Sequence, residues 1–322
     1  MRKVALIGAG AWGKNLAANL HALGALYAVA EPNPALRARM AELYPGVPVL
    51  DDYRPLLDTP VPAVAIATPA PTHFAIANES MLSGKDVFVE KPLTLAAAEA
   101  DALVDLADSR GRVLMVGHLL MYQPAIRWMA EFLASGRLGR VVSLHQERLN
   151  LGRARAVENA LWSFGVHDVA VLLHLVGRMP DRVMTTGQSA VTPGVEDDVH
   201  LHLAWEGGPH AHLHASWLWP EKRRRLTVVG TEGMLVYDEL DQAVYWHHKG
   251  IGANLESRDA GVEVAFTGAE EPLRLELQHF LDRVKDRARP LSDGKSAADV
   301  VRVLERATGQ LAPARRQEEA NR

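Results

Sequence analysis

Gly8-Ala9-Gly10-Ala11-Trp12-Gly13 is the first stretch of this chain whose residue types and spacing suit chemistry, and the chemistry is the grip on a dinucleotide. One glycine makes the tight turn and the next lets backbone approach a pyrophosphate. The third lets a helix sit close to its strand, so that the helix N-terminus meets the phosphates. The motif follows the apolar run Val4–Ile7 and opens a helix-like stretch, which is the context it needs. A second apolar run ends in Glu31, where a carboxylate can hold the adenosine ribose hydroxyls. Glu31 should repel a 2′-phosphate, and Pro32-Asn33-Pro34 brings no adjacent cation, so NAD is favoured over NADP. Arg37 and Arg39 on the next helix are the cations that argue the other way.

The elements that must position these residues alternate between short apolar runs and helical stretches through the first third of the chain. Strands are expected at Val4–Ile7, Leu26–Ala30 and residues 63–67, 87–89 and 113–116. Helices are expected at 14–23, Pro34–Leu43, 73–83 and 95–109, the last with Thr94 as N-cap. That succession predicts an α/β fold, a doubly wound parallel Rossmann sheet. After about His118 the texture changes to helices at Pro124–Ala134 and 164–176, a strand at 141–149, and a run of strands over 182–246. This predicts a C-terminal α+β domain with a mostly antiparallel open sheet, closed by helices at Pro272–Asp286 and 297–309, with a frayed tail from Pro313. The expected division is a cofactor domain over residues 1–120 and a substrate-binding and oligomerisation domain over 121–322.

The bulk properties narrow the partners. A chain of 322 residues suits two cores. Its formal net charge of −4 presents no basic surface for nucleic acid or anionic membrane, and the absence of cysteine excludes disulfides and thiolate chemistry. No apolar run approaches a membrane span, and Met1 to Gly10 lead straight into a strand without a leader pattern, so a cytoplasmic location is expected.

Two alternating runs, 199–205 and 211–219, are joined at Glu206-Gly207-Gly208-Pro209. Their apolar residues share a face if Glu206 lies opposite His210, which requires a three-residue loop. The leucines with Trp205, Trp217 and Trp219 then form a face covered by helices. His200, His202, His210, His212 and His214 form the other, and neutral histidines can bind a divalent metal. No metal is needed for hydride transfer, and a polar or interfacial face is the preferred account. Homodimers or homotetramers are expected to form through this sheet.

Gly84-Lys85-Asp86-Val87-Phe88-Val89-Glu90-Lys91-Pro92, with the glycine motif and with Thr68-Pro69 and His73 upstream, resembles the Gfo/Idh/MocA oxidoreductases. The resemblance spans nearly the whole chain, and Glu90-Lys91-Pro92 after a strand is its most specific mark. It implies cofactor contacts from Thr68, Pro69, His73, Glu90 and Lys91, with Lys91 also reaching the reacting hydroxyl. A cation beside a carbinol favours the alkoxide that hydride loss requires. A second mark, Gly165-Val166-His167-Asp168, implies that His167 is the acid/base, a role suited to imidazole. Asp168 is either its orienter or turned elsewhere, since neighbouring helix positions point roughly 100° apart. The sequence departs from relatives at Ser163, where an aspartate is common, and at Met121-Tyr122, where an arginine precedes the aromatic.

Within that family, Tyr122-Gln123-Pro124-Ala125, Arg148 to Arg153 and Glu158 to Trp162 look like members thought to oxidise C3 of UDP-N-acetylglucosamine-type sugars. The resemblance implies substrate contacts from Tyr122, Arg148, Asn150, Arg153, Trp162, His167 and Asp168, with Arg148, Arg153 and Arg155 suited to a diphosphate. Trp162 is placed to stack on a sugar or base. The expected activity is NAD-dependent hydride transfer between a sugar or nucleotide-sugar hydroxyl and nicotinamide, as a dehydrogenase or reductase. The rivals are an enzyme using the hydride step transiently, in elimination or glycoside cleavage, and a non-catalytic NAD(H)-sensing protein.

Overall fold

A computed structural model describes residues 3–268 and 270–320, the side chains of 312–320 apart. The chain forms two compact units. The first comprises Met1–Tyr122 with Glu271–Val301, the second Gln123–Glu270 with Arg302–Arg322. A division at residue 120 alone misses the return of 271–301 to the first unit.

In the first unit the chain runs β1 (Val4–Ile7), α1 (Gly13–Ala22), β2 (Leu26–Ala30), α2 (Pro34–Leu43), β3 (Val49–Leu50) and α3 (Arg54–Leu57). It continues through β4 (Ala63–Ile66), α4 (His73–Leu82), β5 (Asp86–Glu90), α5 (Ala97–Arg110) and β6 (Leu114–Gly117). All strands pair in parallel, in the order β3-β2-β1-β4-β5-β6. Residues of β1, β4 and β6 are buried throughout, as strands covered on both faces must be. The sequence pattern gives five of these strands. The sixth, β3, has only two residues and carries no periodicity to read.

Local chemistry sets the helix starts. Pro34 stands in the first turn of α2, and the Asn33 side chain accepts from the amides of Ala35 and Leu36. Thr94 is not the N-cap of α5. That position is Ala96, and the Thr94 hydroxyl donates to its carbonyl at 2.8 Å instead.

The second unit opens with α6 (Pro124–Ala134), β7 (Val141–Leu151) and α7 (Val166–Val176). Seven strands follow: β8 (Arg182–Gln188), β9 (Asp198–Ala204), β10 (His210–Ser216), β11 (Leu218–Gly230), β12 (Gly233–Asp238), β13 (Ala243–Ile251) and β14 (Ser257–Thr267). They and β7 form one sheet, ordered β14-β13-β12-β11-β7-β10-β9-β8, antiparallel except at β10–β7. The helix α8 (Pro272–Asp286) packs on α1 in the first unit, and α9 (Gly294–Ala320) ends the chain. That helix continues through the stretch from Pro313 expected to fray, and residues 321 and 322 lie outside the described residues.

The β9–β10 hairpin keeps the expected parity in a different register. His210 faces Ala204, and the Trp205 amide donates to the Pro209 carbonyl, so the three-residue loop is 206–208 rather than 207–209. Gly207, at φ +64°, supplies the left-handed residue that this loop needs. Trp205 and Trp217 are buried on the apolar face, but Trp219 lies edge-on to His214 on the histidine face. The strand alternation breaks between Ser216 and Leu218, where β10 ends and β11 begins.

Candidate active site

The glycine loop closes through the backbone contacts that only glycine permits. Gly8 has φ +93°, and a Cβ there would lie 2.8 Å from the Ala67 carbonyl oxygen. A Cβ on Gly13 would lie 2.1 Å from the Gly8 oxygen, so the start of α1 rests directly on the loop. A Cβ on Gly10 would meet no atom within 4 Å, leaving that backbone open to approach. No side chain caps the N-terminus of α1, where the Lys14 and Asn15 amides turn back to the Gly10 and Trp12 carbonyls. These are the features a pyrophosphate requires, and Glu31 completes them. Its buried carboxylate accepts from the Ala9 amide at 2.7 Å and the Asn33 amide at 2.9 Å, which fixes it at the end of β2. Each oxygen keeps a lone pair for a ribose hydroxyl. Arg37 Nη1 is turned onto the Glu31 and Pro32 carbonyls.

A second chain of contacts ties this loop to the turn after β5. Trp12 Nε1 donates to Glu90 Oε1 at 2.5 Å, and the Lys91 amide donates to Glu90 Oε2 at 3.3 Å. Burial pushes the Glu90 carboxyl up to about 7, against the pull of the Trp12 hydrogen bond and the Lys91 charge. Glu276 of α8, wholly buried, is raised by its own burial and by Glu90. The Lys91–Pro92 peptide is cis. His73 braces the same turn, with Nδ1 2.7 Å from the Pro92 carbonyl and Nε2 2.9 Å from that of Thr68. Two carbonyl acceptors favour a doubly protonated ring, but burial outweighs them and lowers its pKa. Thr72 Oγ1 donates within the Thr68-Pro69 turn, to the Pro69 carbonyl and to Thr68 Oγ1.

His118, at the end of β6, escaped the sequence reading. It is buried, and neither ring nitrogen has a hydrogen-bond partner in the protein. Burial and the neighbouring Lys91 charge press its pKa down to about 3, so a neutral imidazole stands beside Lys91. The signal available in sequence was its position, directly after a parallel strand, where ligand crevices form.

Tyr122 is not placed to touch a substrate. It is 2% exposed, and its hydroxyl pairs with Ser292 Oγ at 3.0 Å inside the first unit.

In the second unit the residues expected around the acid/base divide sharply. Leu161–Gly165 forms a single π-helical turn ahead of α7, a widening common at functional sites. A Cβ on Gly165 would lie 2.8 Å from Leu161 Cδ1 of the same turn and 3.2 Å from Leu213 Cδ2 of the sheet, so the helix start packs closely there. His167 follows in the first turn of α7 and is half-buried. Asp168 is fully buried and turned away to Arg148, whose Nε donates at 2.8 and 2.6 Å. Arg148 also donates to Glu239 at 3.1 Å. Burial pushes Asp168 up while Arg148 pulls it down, and the two carboxylates keep Arg148 charged. Arg148 therefore has carboxylate partners already, where a diphosphate ligand was expected, and the Asp168 carboxylate is engaged by Arg148.

Arg224, one of three consecutive arginines in β11, faces this same cluster. Its Nη2 donates to Asn150 Oδ1 at 3.2 Å and its guanidinium lies 5.3 Å from the Phe164 ring centre. Strand alternation is the signal that singles it out: Arg223 pairs with Glu221 and Arg225 with Asp238 on the opposite face. Arg153 is exposed, and Arg155 lies 4.0 Å from Glu158. Trp162 is half-buried with its indole N–H bound to Thr308, and Ser163 is buried.

Comparison with known proteins agrees with this architecture. Residues 2–118 match the family described as "Oxidoreductase family, NAD-binding Rossmann fold", and residues 126–236 match the "GFO/IDH/MocA C-terminal domain". UDP-N-acetylglucosamine 3-dehydrogenase of Acidithiobacillus ferrooxidans is 31% identical over 75% of this chain and 76% of its own. Its solved structure superposes with a TM-score of 0.85 at 28% identity, covering 96% of this chain and 97% of that one. scyllo-Inositol 2-dehydrogenase (NAD(+)) of Bacillus subtilis is 27% identical over 75% of this chain and 72% of its own. Among the described residues no helix is long and apolar enough to cross a membrane.

Proposed function

Because the chain belongs to the Gfo/Idh/MocA oxidoreductase family, we propose that it is an NAD-dependent dehydrogenase that oxidises C3 of a UDP-N-acetylhexosamine. The observation that carries this reading is the hydrogen bond from Trp12 to Glu90, which joins the glycine loop to the Lys91 turn at the carboxyl ends of one parallel sheet. The substrate class rests on the similarity to UDP-N-acetylglucosamine 3-dehydrogenase.

Gly8, Gly10, Gly13 and the α1 N-terminus hold the pyrophosphate of the cofactor, and Glu31 its adenosine ribose. The preference for NAD follows from Glu31, whose carboxylate would repel a 2′-phosphate, and from Arg37, which is occupied by carbonyls. Thr68, Pro69 and Glu90 shape the loops around it, and His73 holds two of those loops together. Bound NAD supplies the hydride acceptor. Lys91 donates to the carbinol oxygen and stabilises negative charge as it develops there. His118, neutral and buried beside Lys91, adds no competing positive charge. His167 accepts the hydroxyl proton, a role that rests on the family resemblance. Arg153 and Arg224 serve the substrate's charged part, in place of the internally paired Arg148. Copies of the chain associate through the sheet of the second unit, where Val262 and Val264 of β14 are 49% and 58% exposed.

The test is a screen of nucleotide sugars, free sugars and inositols with NAD and NADP, followed by reduced-nicotinamide absorbance. Turnover of a UDP-amino sugar with NAD, lost in Lys91→Ala and His167→Ala, is the expected result. Turnover unchanged in Lys91→Ala, or confined to NADP, would contradict the assignment.

A further inference from the structure

The histidines of β9 and β10 come in two groups with different geometry. In the first, His202 and His212 face each other across the hairpin with their Nδ1 atoms 2.6 Å apart, and His145 of β7 stacks on His212. Two donors bound to one ion at about 2.0–2.1 Å lie about 3.3 Å apart in a tetrahedral site. The His202–His212 contact is shorter than that, so these two nitrogens share a hydrogen bond with each other rather than an ion.

The second group is built differently. His200 and His214 lie directly opposite in the antiparallel register, with Asp198 and Ser216 forming the next pair. The two imidazoles stack at 4.0 Å with 17° between their planes, which turns both Nε2 atoms to the same carboxylate. His214 Nε2 is 3.1 Å from both Asp198 oxygens, His200 Nε2 is 3.6 Å from Oδ1, and one donor atom from each residue falls within a 4.8 Å sphere of separations. The two histidine–carboxylate spacings, 3.1 and 3.6 Å, bracket the separation that a tetrahedral ion imposes on its ligands. The surroundings hold the arrangement in place. Ser216 hydrogen-bonds the Asp198 carboxylate, and Trp219 packs edge-on at 5.3 Å against the His214 ring. The side chains of Asp198 and His214 are 28% and 17% exposed and that of His200 48%, so an ion has an entry path and room for water in its remaining position.

We propose that Asp198, His200 and His214 bind one divalent transition-metal ion of the zinc class on the open face of the second unit's sheet. Two imidazoles and one carboxylate select such an ion over magnesium or calcium, which take oxygen ligands. The three residues belong to none of the groups assigned to hydride transfer, so the site is structural or regulatory, and it stands or falls separately from the dehydrogenase reading. Without the ion, the same residues form a His–Asp ion pair that depends on protonation, and the two states are distinguishable in solution.

The experiment is isothermal titration of chelator-treated, full-length protein without a histidine tag, using zinc chloride, with magnesium chloride as the comparison. One zinc ion per chain and no magnesium binding are expected. His214→Gln and Asp198→Asn should each weaken zinc affinity by more than about tenfold, the loss that removing even an outer partner gives. His145→Gln should leave affinity unchanged. His200→Gln alters the most exposed of the three ligands and keeps the test valid if the other variants do not fold, as circular dichroism will show. Zinc should also raise the melting temperature of the wild type and not of His200→Gln. No zinc binding, or binding that survives in His200→Gln and is lost in His145→Gln, would overturn the site.

Discussion

The two units carry their candidate chemistry on different materials. In the first, the glycine loop, Glu31, Trp12, Glu90 and His73 are joined largely through backbone amides and carbonyls. In the second, Arg148, Asp168, Glu239, Asn150 and Arg224 are joined side chain to side chain across sheet and helix. A backbone-built site tolerates surface change but rejects a single Cβ at a crowded glycine. A side-chain-built site sits on buried charge, and its members stand or fall in stability together.

Breaking the second unit's network should give the largest effect. Arg148→Ala leaves Asp168 buried without its partner and should cost about 3–5 kcal/mol of unfolding free energy in denaturant titration. A cost below about 1 kcal/mol, the range of exposed pairs, would show that the network is not the structural centre of this unit.

The first unit has its own buried charge, and pH separates the two. The Glu90 carboxyl is raised from 4.5 to about 7, so the folded protein binds more protons than the unfolded chain between those values. Stability should therefore fall as pH rises through that window, by up to about 3 kcal/mol for the full shift. Glu90→Gln keeps an acceptor for Trp12 and should flatten the slope, with Glu276→Gln removing a further part. Melting temperatures at pH 5 and pH 8 provide the measurement, and an unchanged slope in Glu90→Gln would contradict the assignment.

The smallest expected stability loss has the most specific consequence. Gly13→Ala places a methyl group 2.1 Å from the Gly8 oxygen and should cost about 1–3 kcal/mol while abolishing NAD binding in a fluorescence titration. Gly10→Ala, with no atom within 4 Å, should leave stability unchanged and weaken only cofactor binding.

This contrast also explains what was legible in the sequence. The first unit could be read because its devices are local: a glycine spacing, a strand ending in Glu31, a turn after β5. The short β3 had too few residues to show a pattern. In the second unit the sheet type and the parity of β9 and β10 were legible, since alternation is written into the strands. The partner of Arg148 was not, because Asp168 is reached across the sheet and helix packing rather than along the chain. Arg224 was hidden by its neighbours: three consecutive arginines look alike until the strand sends alternate ones to opposite faces. The hairpin loop shifted because two alternatives with the same parity satisfy the same hydrophobic face.

The central claim is hydride transfer from C3 of a UDP-N-acetylhexosamine to NAD. UDP-N-acetylglucosamine carrying deuterium at C3, incubated with the protein and NAD, tests it directly by mass spectrometry of both products. Deuterium in the reduced nicotinamide, with a 3-keto sugar formed in equal amount, is the result expected. Deuterium retained in the sugar, or returned to it with no net reduced cofactor, would contradict the dehydrogenase assignment.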